Sequence, residues 1–209
     1  MADNKKGIFI TMEGSDGSGK TTQINLLSEF LKKNNYDVII TREPGGTNIS
    51  EAVREILLNP EFKEMDPTTE LLLYTAARAQ LMAQVIRPAL EAGKAVISDR
   101  FIDSALVYQG IARGLGVDNV YNVNQYAVQG CMPDVTFLLD LTAEEGIKRK
   151  KNQKELDRME QEKLSFHRQV SDGYRSLADK YPERITKIDA TLPIADIYAI
   201  IEAQVQALI

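Results

Sequence analysis

The chain has one cysteine, Cys131, and one histidine, His167, in 209 residues. A lone cysteine excludes an intramolecular disulfide and a Cys-rich metal site. Between Gly130 and Met132 it is expected as a small buried apolar residue. His167 sits beside Phe166 and Arg168 without a second histidine, a cysteine pair or a serine motif. It is expected at a structural surface position, with no metal or nucleophile chemistry. Positive charge is also short: 25 Lys and Arg stand against 30 Asp and Glu, a net charge of −5. That balance excludes broad nucleic-acid binding and requires any polyanionic ligand to be held at a local site. No apolar run approaches the roughly 20 residues that span a bilayer. The polar Met1–Lys6 segment lacks the apolar stretch of a secretory signal. The expectation is a cytoplasmic protein with no membrane and no nucleic-acid partner.

What is present is a chain 44% hydrophobic and 26% charged, which suits a globular domain with a sizeable core. Five short segments rich in branched apolar residues read as buried parallel strands: Gly7–Met12, Asp37–Thr41, Ala95–Ser98, Val135–Leu141 and Arg184–Ile188. Helical spacing separates them. Ile24, Leu27 and Leu31 share one face after the first strand. Thr68–Ala92 reads as a long helix ended by Gly93, and Ile194–Leu208 as a last helix with Ile197, Ile200, Ile201 and Val205 on one side. Alternating strands and helices predict a three-layer α/β/α fold with a five-stranded parallel sheet. One domain is expected across residues 1–209. Its only compositional break is a charged insertion, Lys148–Lys163.

Gly14-Ser15-Asp16-Gly17-Ser18-Gly19-Lys20-Thr21 fits the pattern Gly-x-x-x-x-Gly-Lys-Ser/Thr, after an apolar strand and before an amphipathic helix. Glycines let the backbone curl so that its N–H groups face phosphate oxygens, and the helix adds its positive end. Lys20 is placed to reach the β- and γ-phosphates, and the Thr21 hydroxyl to ligate Mg²⁺. The bland alternative is a Gly-rich turn that caps a helix. A guanine-specific GTPase is not expected, because the chain has neither the Asn-Lys-x-Asp base reader nor an Asp-x-x-Gly switch downstream of the loop.

The third strand ends in Ser98-Asp99-Arg100-Phe101. Asp99 is placed to hold Mg²⁺ through water, and Arg100 to clamp a second phosphate. A surface salt bridge is the plain alternative.

Four motifs in order make the chain resemble the bacterial thymidylate kinases over essentially its whole length. They are Met12-Glu13-Gly14 through Thr22, the run Thr41–Thr47 with Arg42-Glu43-Pro44-Gly45-Gly46, the run Val96–Gly110, and Leu156–Glu162. The resemblance implies a P-loop kinase fold with a lid near 143–160. It further implies a homodimer and transfer of the ATP γ-phosphate to dTMP with Mg²⁺. The ATP-binding residues are then Gly14 through Thr22. Asp16 matches the carboxylate that takes the sugar 3′-hydroxyl, with helix capping as the alternative. Tyr74 and Arg78, four apart on one helical face, match the residues that stack on and hydrogen-bond thymine. Core packing is the alternative for Tyr74, whereas Arg78 among alanines and Leu81 needs an anionic or polar partner.

Arg42, Arg54 and Arg100 match positions around the monophosphate, and Tyr108 the aromatic that disfavours ribose. Ser104 and Gln109 match neighbours of the base, and Glu43 belongs to the same site. Thymine and uracil differ by one methyl, worth about 1–3 kcal/mol, so a uridylate or deoxyuridylate kinase is the nearest rival. A nucleotide-dependent switch is the rival from another class.

Lys148, Arg149, Lys150, Lys151, Lys154 and Arg158 crowd the insertion. They read either as a solvated helix face or as a lid that brings positive charge to the transferring phosphate. Gly17 stands where an arginine in the loop would otherwise supply that charge, and Gln153 replaces an arginine frequent in relatives. Arg149 and Lys151 are the candidate lid catalysts, with Lys154 beside them. Together with Lys20, Arg100 and Asp16 they complete the expected catalytic set.

Overall fold

The computed structural model describes residues 6–150 and 156–209. Five strands form one sheet in the order β2–β3–β1–β4–β5, every adjacent pair parallel. They are β1 (Ile8–Glu13), β2 (Val38–Arg42), β3 (Ala95–Asp99), β4 (Val135–Asp140) and β5 (Ile185–Asp189). The helices are α1 (Lys20–Lys33), α2 (Asn48–Leu58), α3 (Pro67–Leu81), α4 (Arg87–Glu91), α5 (Ile102–Ala105), α6 (Val117–Val128), α7 (Ala143–Lys150), α8 (Leu164–Lys180) and α9 (Ile194–Gln206). This is the expected three-layer arrangement.

Strand alternation sorts the core into two layers. Ile8, Ile10 and Met12 of β1 pack with Leu27 and Leu31 of α1 and Ile197, Ile201 and Val205 of α9. Phe9, on the opposite face, joins Val96, Leu138, Leu81, Val120 and Val170 from β3, β4, α3, α6 and α8. Ile200 leaves the expected α9 stripe and is 41% exposed. Neighbouring helix residues point about 100° apart, so Ile200 turns away from Ile201, and only Ile197, Ile201 and Val205, four residues apart, stay on the sheet side. Cys131 is half-buried against the second layer, and burial pushes its thiol pKa up.

The long helix expected over 68–92 is interrupted. Pro67 opens α3 with Asp66 as cap, Asp66 accepting from Thr68 N at 2.8 Å. Residues Met82–Ile86 then widen into a π-helical turn before α4. Pro88 lacks an N–H to donate back into the helix, which explains the local rearrangement. A second π-helical segment, Leu106–Ala112, carries Tyr108 and Gln109. No helix among the described residues is long and apolar enough to cross a membrane.

Candidate active site

All five strands point their C-terminal ends the same way, and β1 lies where the chain reverses its direction of travel across the sheet. Such edges are where parallel α/β sheets bind ligands. The Gly14–Thr21 loop begins at this edge. A Cβ on Gly14 would meet the Leu139 carbonyl of β4 at 2.5 Å, and φ there is +135°, so only glycine fits. Gly19 precedes α1 with φ 95° and no side-chain cap, which leaves the helix's first N–H groups facing outward from the loop. Lys20 is buried and folds back, donating to the carbonyls of Gly14 at 3.0 Å and Ser15 at 3.2 Å. Ser18 Oγ is buried with no partner among the described residues. Thr21 and Thr22 are exposed at the start of α1.

A cavity opens beside the loop. Its lining includes Asp16, Glu43, Arg54, Tyr74, Arg78, Arg100, Ser104, Tyr108 and Gln109, so nine of the ten residues expected around the monophosphate are brought together. Arg42 is not among them. It is exposed on the outer side of β2 and pairs with Glu51 at 2.9 Å. Arg54 lines the wall while donating to the Pro44 carbonyl at 2.8 Å. Burial raises the Tyr74 and Tyr108 hydroxyl pKa values, Tyr108 to about 12, so both rings are neutral.

Arg78 is 1% exposed. Its partners explain how it tolerates burial: Nε donates to Glu43 Oε2 at 2.8 Å, an Nη to the Phe101 carbonyl at 3.1 Å, and another to Asn124 Oδ1. Glu43 takes a second bond from the same guanidinium. Four of the five N–H groups an arginine carries are thus engaged inside the protein, leaving one for the cavity. Glu43 Oε1, also in the wall, is buried without a partner, and burial raises that carboxyl's pKa. Neither Asn124 nor the Glu43–Arg78 pairing carries a signal in the sequence. They come from α6 and from the loop after β2.

Gln109 and Ser104 spend their polar groups within the protein. Gln109 donates to Glu70 at 2.7 Å, and Ser104 Oγ lies 2.6 Å from Glu13 Oε2. Glu70 also holds Arg113 at 3.1 Å and pairs with Arg158 at 2.7 Å. Arg158, counted in sequence among the charges of the insertion, is buried and donates to the Leu57 carbonyl at 2.8 Å. It anchors this part of the insertion to α2.

Arg149 extends from α7 to the loop, donating to the carbonyls of Gly17 at 3.3 Å and Ala190 at 3.2 Å. A Cβ on Gly17 would meet the Gly146 carbonyl at 2.9 Å, so the loop and α7 approach closely only because both residues are glycine. Lys151, Gln153 and Lys154 lie outside the described residues. His167 does not sit apart from the site. It is half-buried on α8 and lines the same cavity as Asp16.

For a divalent cation the available oxygens are the Thr21 hydroxyl and the Asp99 carboxylate. Asp99 ends β3 opposite Met12 of β1, and its side chain makes no hydrogen bond or ion pair among the described residues. Hard oxygen donors suit Mg²⁺. No group of three or more His, Cys, Asp or Glu able to hold a metal occurs among the described residues, so a cation there needs phosphate oxygens as well. The residues present fit such an ion.

A phosphate loop that shares a wall with an arginine-lined, aromatic cavity is the arrangement of a P-loop nucleoside-monophosphate kinase. Comparison with known proteins narrows the class. A sequence model described as thymidylate kinase matches residues 12–201. The chain is 50% identical over 195 residues to a thymidylate kinase of Clostridium novyi (strain NT), covering 92% of this chain and 95% of that one. It is 47% identical over 202 residues to one of Geobacillus sp. (strain WCH70), covering 96% of each. The crystal structure of thymidylate kinase from Ehrlichia chaffeensis superposes with a TM-score of 0.77 at 33% identity, over 96% of this chain and 99% of that one. The chain belongs to the thymidylate kinase family.

Proposed function

We propose that the enzyme transfers the γ-phosphoryl group of ATP to dTMP, giving dTDP and ADP for dTTP synthesis. The observation that carries this reading is the contact between the phosphate loop and the neighbouring cavity. Arg100 Nη2 donates to Asp16 Oδ1 at 2.7 Å, so one arginine borders both. Phosphoryl transfer needs chiefly two nucleotides held in line and their charge offset.

In this reading Gly14 through Thr22 cradle the ATP phosphates, with Lys20 turning from the loop carbonyls toward them. Arg100 and Arg54 hold the monophosphate, and Asp16 accepts the sugar 3′-hydroxyl. Tyr74 stacks on the base, and the remaining N–H of Arg78 donates to a base carbonyl. Tyr108 crowds the sugar, while Glu43, Ser104 and Gln109 shape the pocket from behind. Arg42 contributes only if it leaves Glu51. Arg149 offsets charge from the lid near 143–160, with Lys151 its candidate partner. Thr21 and Asp99 would hold Mg²⁺, which when bound would supply charge neutralisation at the phosphates. No covalent enzyme intermediate is required.

The proposal takes residues 1–209 as one domain, supported by the single sheet and its two core layers. It places the reaction in the cytoplasm with small nucleotides as partners, and neither nucleic acid nor membrane. A homodimer is part of the reading. Its support is the family resemblance and the exposed apolar side chains Ile49, Ile56, Leu72 and Tyr121 on α2, α3 and α6. The test is ADP release from ATP and Mg²⁺ with each nucleoside monophosphate in turn. A strong preference for dTMP is expected. Preference for another monophosphate would discard the Tyr74–Arg78 assignment, and transfer to none would discard the reading.

A further inference from the structure

Among the described residues of the site, Arg100 is the only non-glycine whose backbone is left-handed, with φ 71°. That conformation is costly for a residue with a Cβ and persists only where surroundings enforce it. Here Arg100 N donates to the Met12 carbonyl at 2.9 Å, and Ser98 Oγ to the Arg100 carbonyl at 2.7 Å. The backbone is fixed. The long side chain still has to be aimed, and two buried groups outside the cavity lining do this.

We propose that Glu13 and Tyr174 are positioning residues for the reaction, and that they set the orientation of the Arg100 guanidinium. This rests on the reading of Arg100 as a phosphate-holding residue. Glu13 is 0% and Tyr174 3% exposed, and neither lines the cavity, so neither reaches a substrate directly. Arg100 Nη1 donates to Tyr174 Oη at 3.0 Å and to Ser104 Oγ at 3.3 Å. Both hydroxyls are in turn held by one carboxylate oxygen. Glu13 Oε2 lies 2.6 Å from Ser104 Oγ and 2.9 Å from Tyr174 Oη, and the two hydroxyls are 2.7 Å apart.

Glu13 Oε1 accepts from the backbone N–H of Phe101 at 2.8 Å, which ties the same carboxylate to the residue after Arg100. The hydroxyl protons are taken up within this triangle of oxygens. Lone pairs on Tyr174 and Ser104 are thereby left facing Arg100. One edge of the guanidinium is fixed to α8 and the other to Asp16 of the phosphate loop. Rotating a planar five-donor group away from that plane breaks bonds on both edges.

The arrangement explains why a carboxylate is buried at the end of β1 without touching the reaction. Burial and the nearby Asp103 raise its pKa to about 7, while Arg100 and the hydrogen bonds oppose this. The chain accepts that burden at a position beside the phosphate loop, where an apolar residue would otherwise complete the strand.

The test is a double-mutant cycle on turnover, using Tyr174→Phe, Arg100→Lys and the combination. Tyr174→Phe keeps the ring and its packing and removes only the hydroxyl. It is expected to lower kcat/KM for dTMP about tenfold, the scale of one hydrogen bond to a charged group. KM for ATP and the melting temperature should stay near those of the unaltered enzyme. In the Arg100→Lys background the same substitution should change turnover by less than about twofold, because nothing remains for it to aim.

Glu13→Gln, close in shape, is expected to follow the same kinetic pattern and serves if Tyr174→Phe fails to fold. A full, additive effect in the Arg100→Lys background, or kinetics unchanged by Tyr174→Phe, would overturn the proposal. Unchanged kinetics for Arg100→Lys itself would overturn both the proposal and the reading beneath it.

Discussion

Arg100 and Asp16 meet at 2.7 Å although 84 residues separate them, and this contact joins the end of β3 to the phosphate loop. The fixed positive charge beside Asp16 offsets the repulsion its carboxylate would meet from phosphates bound at the loop. Its side chain is 40% exposed, so the contact matters more for geometry than for fold stability. Asp16→Asn is expected to lower kcat/KM for dTMP by roughly tenfold or more with little change in melting temperature. Steady-state kinetics alongside thermal unfolding checks both halves.

The Glu43–Arg78 pair behaves differently because both side chains are buried, at 4% and 1% exposed. Glu43→Ala strands a charge inside the protein. It is expected to destabilise the fold by about 3–5 kcal/mol, with Glu43→Gln milder because it keeps one acceptor for Arg78. Urea unfolding of the two variants measures the difference.

Lys20 gives a pH dependence. Burial first, then Arg100, lowers its pKa to about 8 in the free enzyme, with Asp99, Asp16 and Glu13 acting the other way. Phosphate oxygens favour the ammonium form. ATP capture is therefore complete well below pH 8 and lost as pH rises through that value. kcat/KM for ATP should show this decline, and in Lys20→Arg, whose residual activity is lower, the decline should be absent.

Glu13 gives a dependence of the opposite origin. Its carboxyl keeps its proton to about pH 7 in the folded enzyme and loses it near 4.5 once exposed. The folded state binds more protons between these values, so this group's contribution to stability falls as pH rises from 4.5 to 7 and is level above. The amount is on the order of 3 kcal/mol. Glu13→Gln never carries the buried charge, so melting temperatures of the unaltered enzyme and the variant should lie close together near pH 4.5 and separate towards pH 7 in favour of the variant.

The fold was largely legible because buried parallel strands write themselves as apolar runs, and the strand ends show where that signal stops. Reading by hydrophobicity ends β1 at Met12, β2 at Thr41 and β3 at Ser98. The ladders continue to Glu13, Arg42 and Asp99. The missing residue is polar each time, and two of the three border the site. Phosphate-loop residues were legible for a related reason, since their chemistry depends on local spacing.

The supporting groups were not. Glu70, Asn124 and Tyr174 act on Gln109, Arg78 and Arg100 from 39, 46 and 74 residues away, and only the packing of α3, α6 and α8 brings them together. Arg158 looked like one more solvated charge until Glu70 and the Leu57 carbonyl gave it a buried seat.

The central claim is phosphoryl transfer between two nucleotides at the Lys20–Arg100 junction. The most direct measurement is phosphorus NMR of ATP, Mg²⁺ and dTMP incubated with the enzyme and with Lys20→Ala. The account predicts that ADP and dTDP signals grow together at equal rates with the enzyme and are absent with the variant. ATP consumed to free phosphate without dTDP, or equal dTDP formation by Lys20→Ala, would contradict it.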